Sequence, residues 1–274
     1  MKKTLLIMLS VMGVAGWTSV QAQLISVNFI DDSINVMWGG GNAPAPAAMS
    51  GAAVLGAAGD VWNGLGGFNY SAYPLGASAG PLALVDSTGA ATPVTLSLTA
   101  ANGTYDANSV NWNNYSPFSW ASLANEQGTI GYPNTPWAVL MASMLVSHAT
   151  AMDTVTLNGL PANTAYELVV YSAGDLNLGA AGTRTSTFMV NGNTQTSTWN
   201  ANTSTLINGV DYLVFNAMSD GAGTLVINYG NSATGDESDF NGLQLLQVIP
   251  EPSTFALLGA GMALLLGVQR RRNS

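Results

Sequence analysis

The feature that most constrains the fold is a succession of short β-type runs separated by turns that contain glycine and asparagine. In the second half of the chain these runs fall at 153–157, 165–171, 183–190, 194–198, 210–215, 224–229 and 241–246. Asn191-Gly192 separates two of them and is typical of a two-residue hairpin turn, since both residue types tolerate positive φ. Short strands at regular spacing predict an all-β fold, an antiparallel sandwich or barrel.

The first half of the chain carries fewer strand signals. Segments 24–30 and 94–98 have the apolar alternation of strands, whereas the Gly/Ala-rich segment 38–67 is predicted to be a long ordered loop. Segment 138–148 fits either a short amphipathic helix or a buried strand, because periodicity alone does not separate the two. Its Ala, Met and Leu content and its start just after Pro136 favour the helix.

The first 22 residues have the three parts of a secretory signal peptide. Lys2 and Lys3 precede an apolar run at 5–17, and small residues end the segment at Ala22. This layout predicts a signal helix, export by the Sec machinery and cleavage between Ala22 and Gln23. The apolar run is too short for a membrane span.

The C-terminal segment has a matching layout. Segment 254–268, apolar without interruption from 255, is followed directly by Arg270, Arg271 and Arg272. Arginines beside an apolar segment keep that flank cytoplasmic, so the rest of the chain is predicted to lie outside. As a helix the apolar residues span about 21 Å, less than the roughly 30 Å hydrocarbon core. The segment is therefore predicted to be a transient membrane helix.

Pro250, Glu251 and Pro252, then the apolar segment, then the arginine cluster, resemble a PEP-CTERM sorting signal over residues 248–274. The resemblance implies an exosortase, a membrane transpeptidase-like enzyme that recognises the Pro-Glu-Pro motif and removes the tail. It also implies a Gram-negative host that makes exopolysaccharide. The expected destination is the cell surface, the outer envelope or the extracellular matrix.

The body between the two signals, 23–247, is acidic and lacks cysteine. Fourteen of the fifteen acidic residues lie there, but Arg184 is its single cation, which gives a net charge near −13. Such a body has nothing to neutralise phosphates, so a nucleic-acid partner is excluded. The absence of cysteine also excludes thiol catalysis and thiolate metal sites.

Several pieces of the body are similar to jelly-roll sandwiches of the galactose-binding type. They are 25–29, Val61-Trp62-Asn63, 155–160, 166–171 and 240–245. The resemblance implies a carbohydrate-binding module with a jelly-roll-like β-sandwich. In that family the first and last strands commonly lie side by side, which would place Asn28-Phe29 near Asn241-Gly242.

No catalytic constellation stands out in the body. His148 is the only histidine and no serine lies in a Gly-x-Ser-x-Gly elbow, so a Ser/His/Asp triad is not predicted. Four acidic residues could serve a glycoside hydrolase, but their spacing singles out no pair. They are Glu126, Asp153, Glu167 and Asp175. The sequence therefore predicts a protein that is not an enzyme, with glycoside hydrolysis as the least favoured alternative.

Two acidic clusters could form a structural calcium site. Asp31 and Asp32 follow the first predicted strand, whereas Asp236 and Asp239 precede the last. If those strands are neighbours, the carboxylates converge, and calcium takes six to eight such oxygen ligands. A solvated acidic turn is the alternative and simpler interpretation.

Aromatic side chains in polar loops are candidates for stacking on sugars. Trp112, Tyr115 and Trp120 share an Asn/Ser-rich loop, and Trp62 lies in another, Gly-rich loop. The alternative is that these aromatic side chains are buried and fill the two ends of the hydrophobic core. The sequence thus predicts a non-catalytic surface or matrix protein that binds exopolysaccharide, or a structural, cohesive surface protein without a specific ligand.

Overall fold

The computed structural model of the chain describes residues 22–29, 49–65, 78–99, 137, 139–142, 145–147, 152–172, 185–198, 205–230, 238–249, 269 and 271. By their contacts the residues form two compact units, Gln23–Val248 and the two end segments Met1–Ala22 with Ile249–Ser274. Of the predicted signal peptide 1–22 only Ala22 is described, and of the C-terminal segment 248–274 only Val248, Ile249, Gln269 and Arg271. Gln269 and Arg271 are helical and exposed.

The described part of the unit Gln23–Val248 is built from strands. They are β1 (Leu24–Phe29), β2 (Asn63–Leu65), β3 (Ser78–Val85), β4 (Ala91–Thr99), β5 (Leu145–Ser147), β6 (Asp153–Asn158), β7 (Ala165–Tyr171), β8 (Thr185–Val190), β9 (Asn193–Thr198), β10 (Tyr212–Met218), β11 (Leu225–Gly230), β12 (Ser238–Phe240) and β13 (Gly242–Gln247). The all-β prediction is confirmed, and most of the strands predicted in the second half lie within a residue or two of their expected bounds.

These strands form two large sheets and one small one. The five-stranded sheet has the order β10-β7-β13-β1-β2, the six-stranded sheet the order β3-β4-β6-β11-β8-β9, and β12 pairs with β5. Every pair is antiparallel except β1 with β2, which is parallel. The two large sheets enclose a common core, so the sandwich prediction is also confirmed.

The first and last strands are neighbours, as the resemblance implied. β1 pairs antiparallel with β13, with Leu24 opposite Leu246 and Asn28 opposite Gly242. The Phe29 N–H donates to the Asn241 carbonyl at 2.9 Å. β13 therefore lies inside the five-stranded sheet, between β1 and β7.

The core consists of alternate residues from the facing sides of the two large sheets, as the two-residue period of strands requires. At one end, four aromatic rings pack together. The Phe240 ring lies 5.1 Å from Phe29, 5.1 Å from Phe188 and 5.2 Å from Tyr229, in edge-to-face contacts. Because Phe29 belongs to one large sheet and Phe188 and Tyr229 to the other, Phe240 links both.

The hairpin between β8 and β9 has the predicted two-residue turn. Asn191 and Gly192 adopt φ values of +49° and +77°, which matches the right-handed twist of the strands. The Asn191 side chain also accepts a hydrogen bond from the Met218 N–H at 2.9 Å and donates to its carbonyl at 3.0 Å. This amide thereby occupies the N–H and the carbonyl of Met218, the last residue of edge strand β10.

Two expectations for the first half are wrong. Within 138–148 the described residues form a 3₁₀ turn at Leu140–Ala142 and then strand β5, rather than a helix. β5 pairs with β12, with Leu145 opposite Phe240, so tertiary pairing overrides the local helix propensity. Segment 38–67, predicted to be a loop throughout, contributes β2 to the five-stranded sheet.

Candidate functional site

The outer face of the six-stranded sheet carries an uncharged array of hydroxyl and amide side chains, which we call the hydroxyl face. Strand alternation places every second residue on this face, away from the core. Its members are Thr95, Ser97 and Thr99 on β4, Thr154, Thr156 and Asn158 on β6, Asn228 on β11, Thr185 and Thr187 on β8, and Thr194, Thr196 and Thr198 on β9, together with the apolar Val226 and Met189. All except the buried Thr187 are at least partly exposed to solvent.

The strand register aligns these side chains in rows across the sheet. One row runs from Thr99 through Thr154, Asn228 and Met189 to Thr194. Neighbouring side chains bond to each other within the rows. Thr154 Oγ1 donates to Asn228 Oδ1 at 3.0 Å, and the hydroxyls of Thr187 and Thr196 lie 3.1 Å apart.

The hydroxyl face repeats in two directions. Neighbouring strands lie about 4.8 Å apart and alternate residues along one strand about 6.7 Å apart. Each threonine hydroxyl offers one donor and two acceptor lone pairs, so the face presents many equivalent hydrogen-bonding groups without a formal charge. Such a surface fits an extended, hydroxyl-rich polymer better than a single small molecule.

The outer face of the five-stranded sheet is closed instead by a covering segment. Tyr171 donates its hydroxyl proton to Gln244 Oε1 at 2.5 Å and accepts a hydrogen bond from the Val54 N–H at 3.0 Å. Gln244 also bonds both backbone groups of Leu55, at 2.9 and 3.1 Å, and the Ser26 hydroxyl at 3.1 Å. This buried network holds segment 53–55 against the sheet.

Trp62 belongs to this covering layer rather than to an open surface. It is 4% exposed, its indole N–H donates to the Gly51 carbonyl at 2.8 Å, and its ring lies 6.2 Å from that of Tyr171. The predicted sugar contact at Trp62 does not fit this placement, because its ring is already covered by protein. Trp112, Tyr115 and Trp120 lie outside the described residues, and their sugar contact stays a prediction.

A second polar cluster lies at the edge of the core, where Asp153 and Asp239 surround the Tyr229 hydroxyl. Both carboxylates are 2% exposed. Burial raises the pKa of Tyr229 well above its usual value. The negative charge of Asp153, the hydrogen bond that Asp153 accepts from the tyrosine hydroxyl, and the charge of Asp239 raise this pKa further. The Asp239 N–H also donates to Ser186 Oγ at 2.7 Å. The sequence did not predict that Asp239 shares a cluster with Asp153.

Of the four predicted calcium ligands, the structure describes only Asp239. Asp31, Asp32 and Asp236 lie outside the described residues. Over the described ranges, no three acidic or histidine side chains come together around a common point. Since calcium takes six to eight oxygen ligands, Asp239 and its described neighbours do not by themselves complete such a site. Calcium binding stays a prediction.

The raised pKa values of two buried tyrosines predict that the β-sandwich loses stability at alkaline pH. Burial raises the pKa of Tyr229 and also that of Tyr171, so above about pH 10 the unfolded chain loses these protons before the folded chain does. The free energy of unfolding should be level below about pH 9 and then fall by up to about 1.4 kcal/mol per pH unit for each tyrosine. The body contains no lysine that would titrate in the same range.

Urea unfolding at about pH 8 and about pH 11, bracketing the ordinary tyrosine pKa, measures this effect. Tyr229→Phe serves as the matched variant and should show a smaller loss between the two pH values. Equal free energies of unfolding at both pH values would show that these hydroxyls ionise freely in the folded state.

The structure does not bring the described glycosidase candidates together. Asp153 points into the sandwich from the six-stranded sheet, whereas Glu167 lies on the outer face of the five-stranded sheet, opposite Asn216 and Leu246. Glycoside hydrolysis needs two carboxyl groups that face one substrate bond from within 10 Å or so. Glu126 and Asp175 lie outside the described residues.

Strand β13 runs directly into the predicted sorting signal. The Val248 N–H donates to the Ala165 carbonyl at 2.9 Å, one residue after β13 ends. Of the predicted signal residues, Arg271 is described and exposed, whereas Pro250, Glu251, Pro252, Arg270 and Arg272 lie outside the described residues. Among the residues that the structure covers, no helix is both long enough and apolar enough to cross a membrane.

Residues 248–272 match the family model of the PEP-CTERM protein-sorting motif. The chain carries a PEP-CTERM sorting motif. This motif implies export in a Gram-negative bacterium, a C-terminal membrane-anchoring step and processing by exosortase-like machinery. The PEP-CTERM motif thus accounts for the C-terminal segment 248–272.

Comparison with solved structures returns plant receptor domains and a bacterial module. The extracellular domain of ANXUR2 from Arabidopsis thaliana is 13% identical, with 45% of this chain and 37% of that chain covered and a TM-score of 0.33. The plant receptor-like kinase ANX2 is 13% identical, with coverages of 84% and 49% and a TM-score of 0.39. The CBM22-1 xylan-binding domain of Paenibacillus barcinonensis Xyn10C is 13% identical, with coverages of 39% and 82% and a TM-score of 0.20.

The chain thus spans less than half the length of both plant structures. No curated protein matches it.

Proposed function

We propose that this PEP-CTERM protein is a non-catalytic, exported β-sandwich that binds exopolysaccharide at the cell surface or in the extracellular matrix. The observation that carries the proposal is the hydroxyl face, an uncharged surface across β4, β6, β11, β8 and β9 on an otherwise acidic body. Processing of the tail by exosortase-like machinery delivers this surface to the place where such polymers accumulate.

The chemistry of the face suits a polysaccharide. Sugar hydroxyls are donors and acceptors, as threonine hydroxyls are, so each can replace a water molecule without leaving a charge unpaired. A single hydrogen bond contributes only about 0.5–1.5 kcal/mol net. Useful affinity therefore requires many contacts along a chain, and repeated rows of hydroxyls supply them.

The net negative charge of the body favours neutral over anionic polysaccharides as ligands. The body carries a net charge near −13 with Arg184 as its only cation, so it repels anionic polymers at low ionic strength. The hydroxyl face itself contains no acidic or basic side chain among its members. A neutral polysaccharide is thus the favoured ligand class.

The main alternative is a structural, cohesive surface protein without a specific ligand. The Asn191 contact with Met218 at the edge of β10 and the buried network around Gln244 are equally suited to that role, because both only stabilise the sandwich. Glycoside hydrolysis is less favoured, since Asp153 and Glu167 do not face a common space.

Affinity electrophoresis of residues 23–248 tests the proposal. This unit contains both sheets and both hydrophobic clusters, so it can be produced without the export signals. We expect gels that contain a neutral exopolysaccharide or glucan to retard the protein, and gels that contain an anionic alginate-type polymer to retard it less. Unchanged mobility in every polymer, with the fold intact by circular dichroism, would favour the cohesive alternative.

A further inference from the structure

The two ends of the β-sandwich leave it side by side. The Gln247 N–H donates to the Gln23 carbonyl at 3.0 Å, and the Val248 N–H donates to Ala165 at 2.9 Å. Gln23 follows the predicted signal-peptide cleavage point, and the PEP-CTERM motif begins at Val248. Both export signals therefore join the body at one end of the five-stranded sheet.

Three loops surround this exit point. The loop at 86–90 bonds to β1 through the Ser87 N–H and the Leu24 carbonyl at 2.8 Å. The loops at 161–164 and 219–223 bond to each other, with Asn163 N–H to Asp220 O at 3.0 Å. We call this surface, formed by 86–90, 161–164 and 219–223, the exit end.

Only Ile249 separates the last anchored residue, Val248, from Pro250 along the chain. Two residues of fully extended chain span about 7 Å. Pro250 can therefore lie no farther than about 7 Å from the Val248 nitrogen, which is held in the sheet. A folded unit of the length of Gln23–Val248 has a radius of gyration of about 17 Å. An enzyme that encloses Pro250, Glu251 and Pro252 must therefore meet the body unless the last strand detaches.

Detachment of β13 is costly because this strand lies inside a sheet. It pairs with β1 on one side and with β7 on the other, and its Leu243 and Leu245 side chains are at most 1% exposed. If an enzyme pulled β13 out of the sheet, the hydrophobic core would open, because β13 is not an edge strand.

We propose that the exosortase-like enzyme docks on the exit end of the folded β-sandwich while it holds the PEP-CTERM motif. The body is thus part of the substrate, and its loops 86–90, 161–164 and 219–223 face the membrane enzyme during processing. This proposal rests on the sorting motif and is independent of polysaccharide binding.

Site-specific photo-cross-linking in the full chain tests the docking. A photoreactive residue is introduced as Ala162→p-benzoylphenylalanine or, at a second position of the exit end, Ala222→p-benzoylphenylalanine; both sites are exposed. The matched control is Asn208→p-benzoylphenylalanine, exposed at the opposite end beside the start of β10. Each variant is expressed with a catalytically inactive exosortase-like enzyme, and melting of its unit 23–248 checks the fold.

We expect several-fold more cross-linked enzyme from the two exit-end positions than from Asn208. Insertion of about ten Gly and Ser residues between Ile249 and Pro250, which adds a reach of about 17 Å, should lower the exit-end yield to the control level. Because the insertion falls within the matched segment 248–272, the active enzyme must still process the inserted chain for this result to count. Equal yields from both ends, or exit-end yields that the insertion leaves unchanged, would overturn the proposal.

Discussion

Phe240→Ala is expected to lower the free energy of unfolding of the β-sandwich by about 3–5 kcal/mol, the usual cost of removing a buried phenylalanine side chain. Phe240 is fully buried and contacts Phe29, Phe188 and Tyr229 within about 5 Å. It also positions the short sheet of β12 and β5, so the cavity would lie where three sheets meet. Urea or thermal unfolding of residues 23–248 measures the loss.

Val226→Ala is the matched control for this change. Val226 is 39% exposed on the outer face of β11, and substitutions at such surface positions usually change stability by less than about 0.5 kcal/mol. If Phe240→Ala cost no more than Val226→Ala, the aromatic cluster would not be a tightly packed part of the core.

Gly242→Ala is expected to destabilise the sandwich by about 1–3 kcal/mol through overpacking. A Cβ atom at this position would lie 2.3 Å from the Val27 carbonyl oxygen and 2.8 Å from Leu140 Cδ1. The oxygen belongs to the backbone of β1, so relief requires β1 and β13 to separate. The same change should weaken the covering layer, because Leu140 lies over this glycine.

Gly221→Ala provides the control for the glycine substitution. A Cβ atom there would have no neighbour within 4 Å, and replacing a glycine in a permitted conformation leaves stability unchanged or slightly higher. Equal melting temperatures for the Gly242→Ala and Gly221→Ala variants would contradict the close approach of β1 and β13.

Local patterns predicted the strands of the second half because each run there is bounded by turn residues of definite geometry. Asn191-Gly192 specified its hairpin, since few other pairs adopt positive φ twice in succession. The neighbouring placement of β1 and β13 followed only from the family resemblance. For segment 138–148 a buried strand was only the less favoured alternative, because the three residues of β5 form a strand only when β12 lies beside them.

The candidate site was less accessible to sequence analysis. A signal for the hydroxyl face does exist in the alternation Thr95-x-Ser97-x-Thr99 and Thr194-x-Thr196-x-Thr198, but only the strand order aligns these runs in rows. Trp62 looked like a surface aromatic because its neighbours are small and polar. Its burial depends on the segment that Tyr171 and Gln244 hold against the sheet, across more than one hundred residues of sequence.

The clustering of Asp153, Asp239 and Tyr229 also required the fold. Their positions in the sequence show no common motif, and two of them belong to strands of the six-stranded sheet, whereas Asp239 lies on β12. The sorting motif was predictable for the opposite reason. Its parts are contiguous, so their order along the chain is sufficient to recognise it.

The central claim is that the hydroxyl face binds neutral polysaccharide, and one titration tests it most directly. Thr156→Glu places a carboxylate in the middle of the face, and Met218→Glu adds the same charge at the 52% exposed edge of β10. We predict that Thr156→Glu weakens binding of residues 23–248 to a neutral polysaccharide about tenfold or more, or about 1.4 kcal/mol, while Met218→Glu binds like the unchanged protein. Equal affinities for all three proteins, at equal melting temperatures, would contradict the claim.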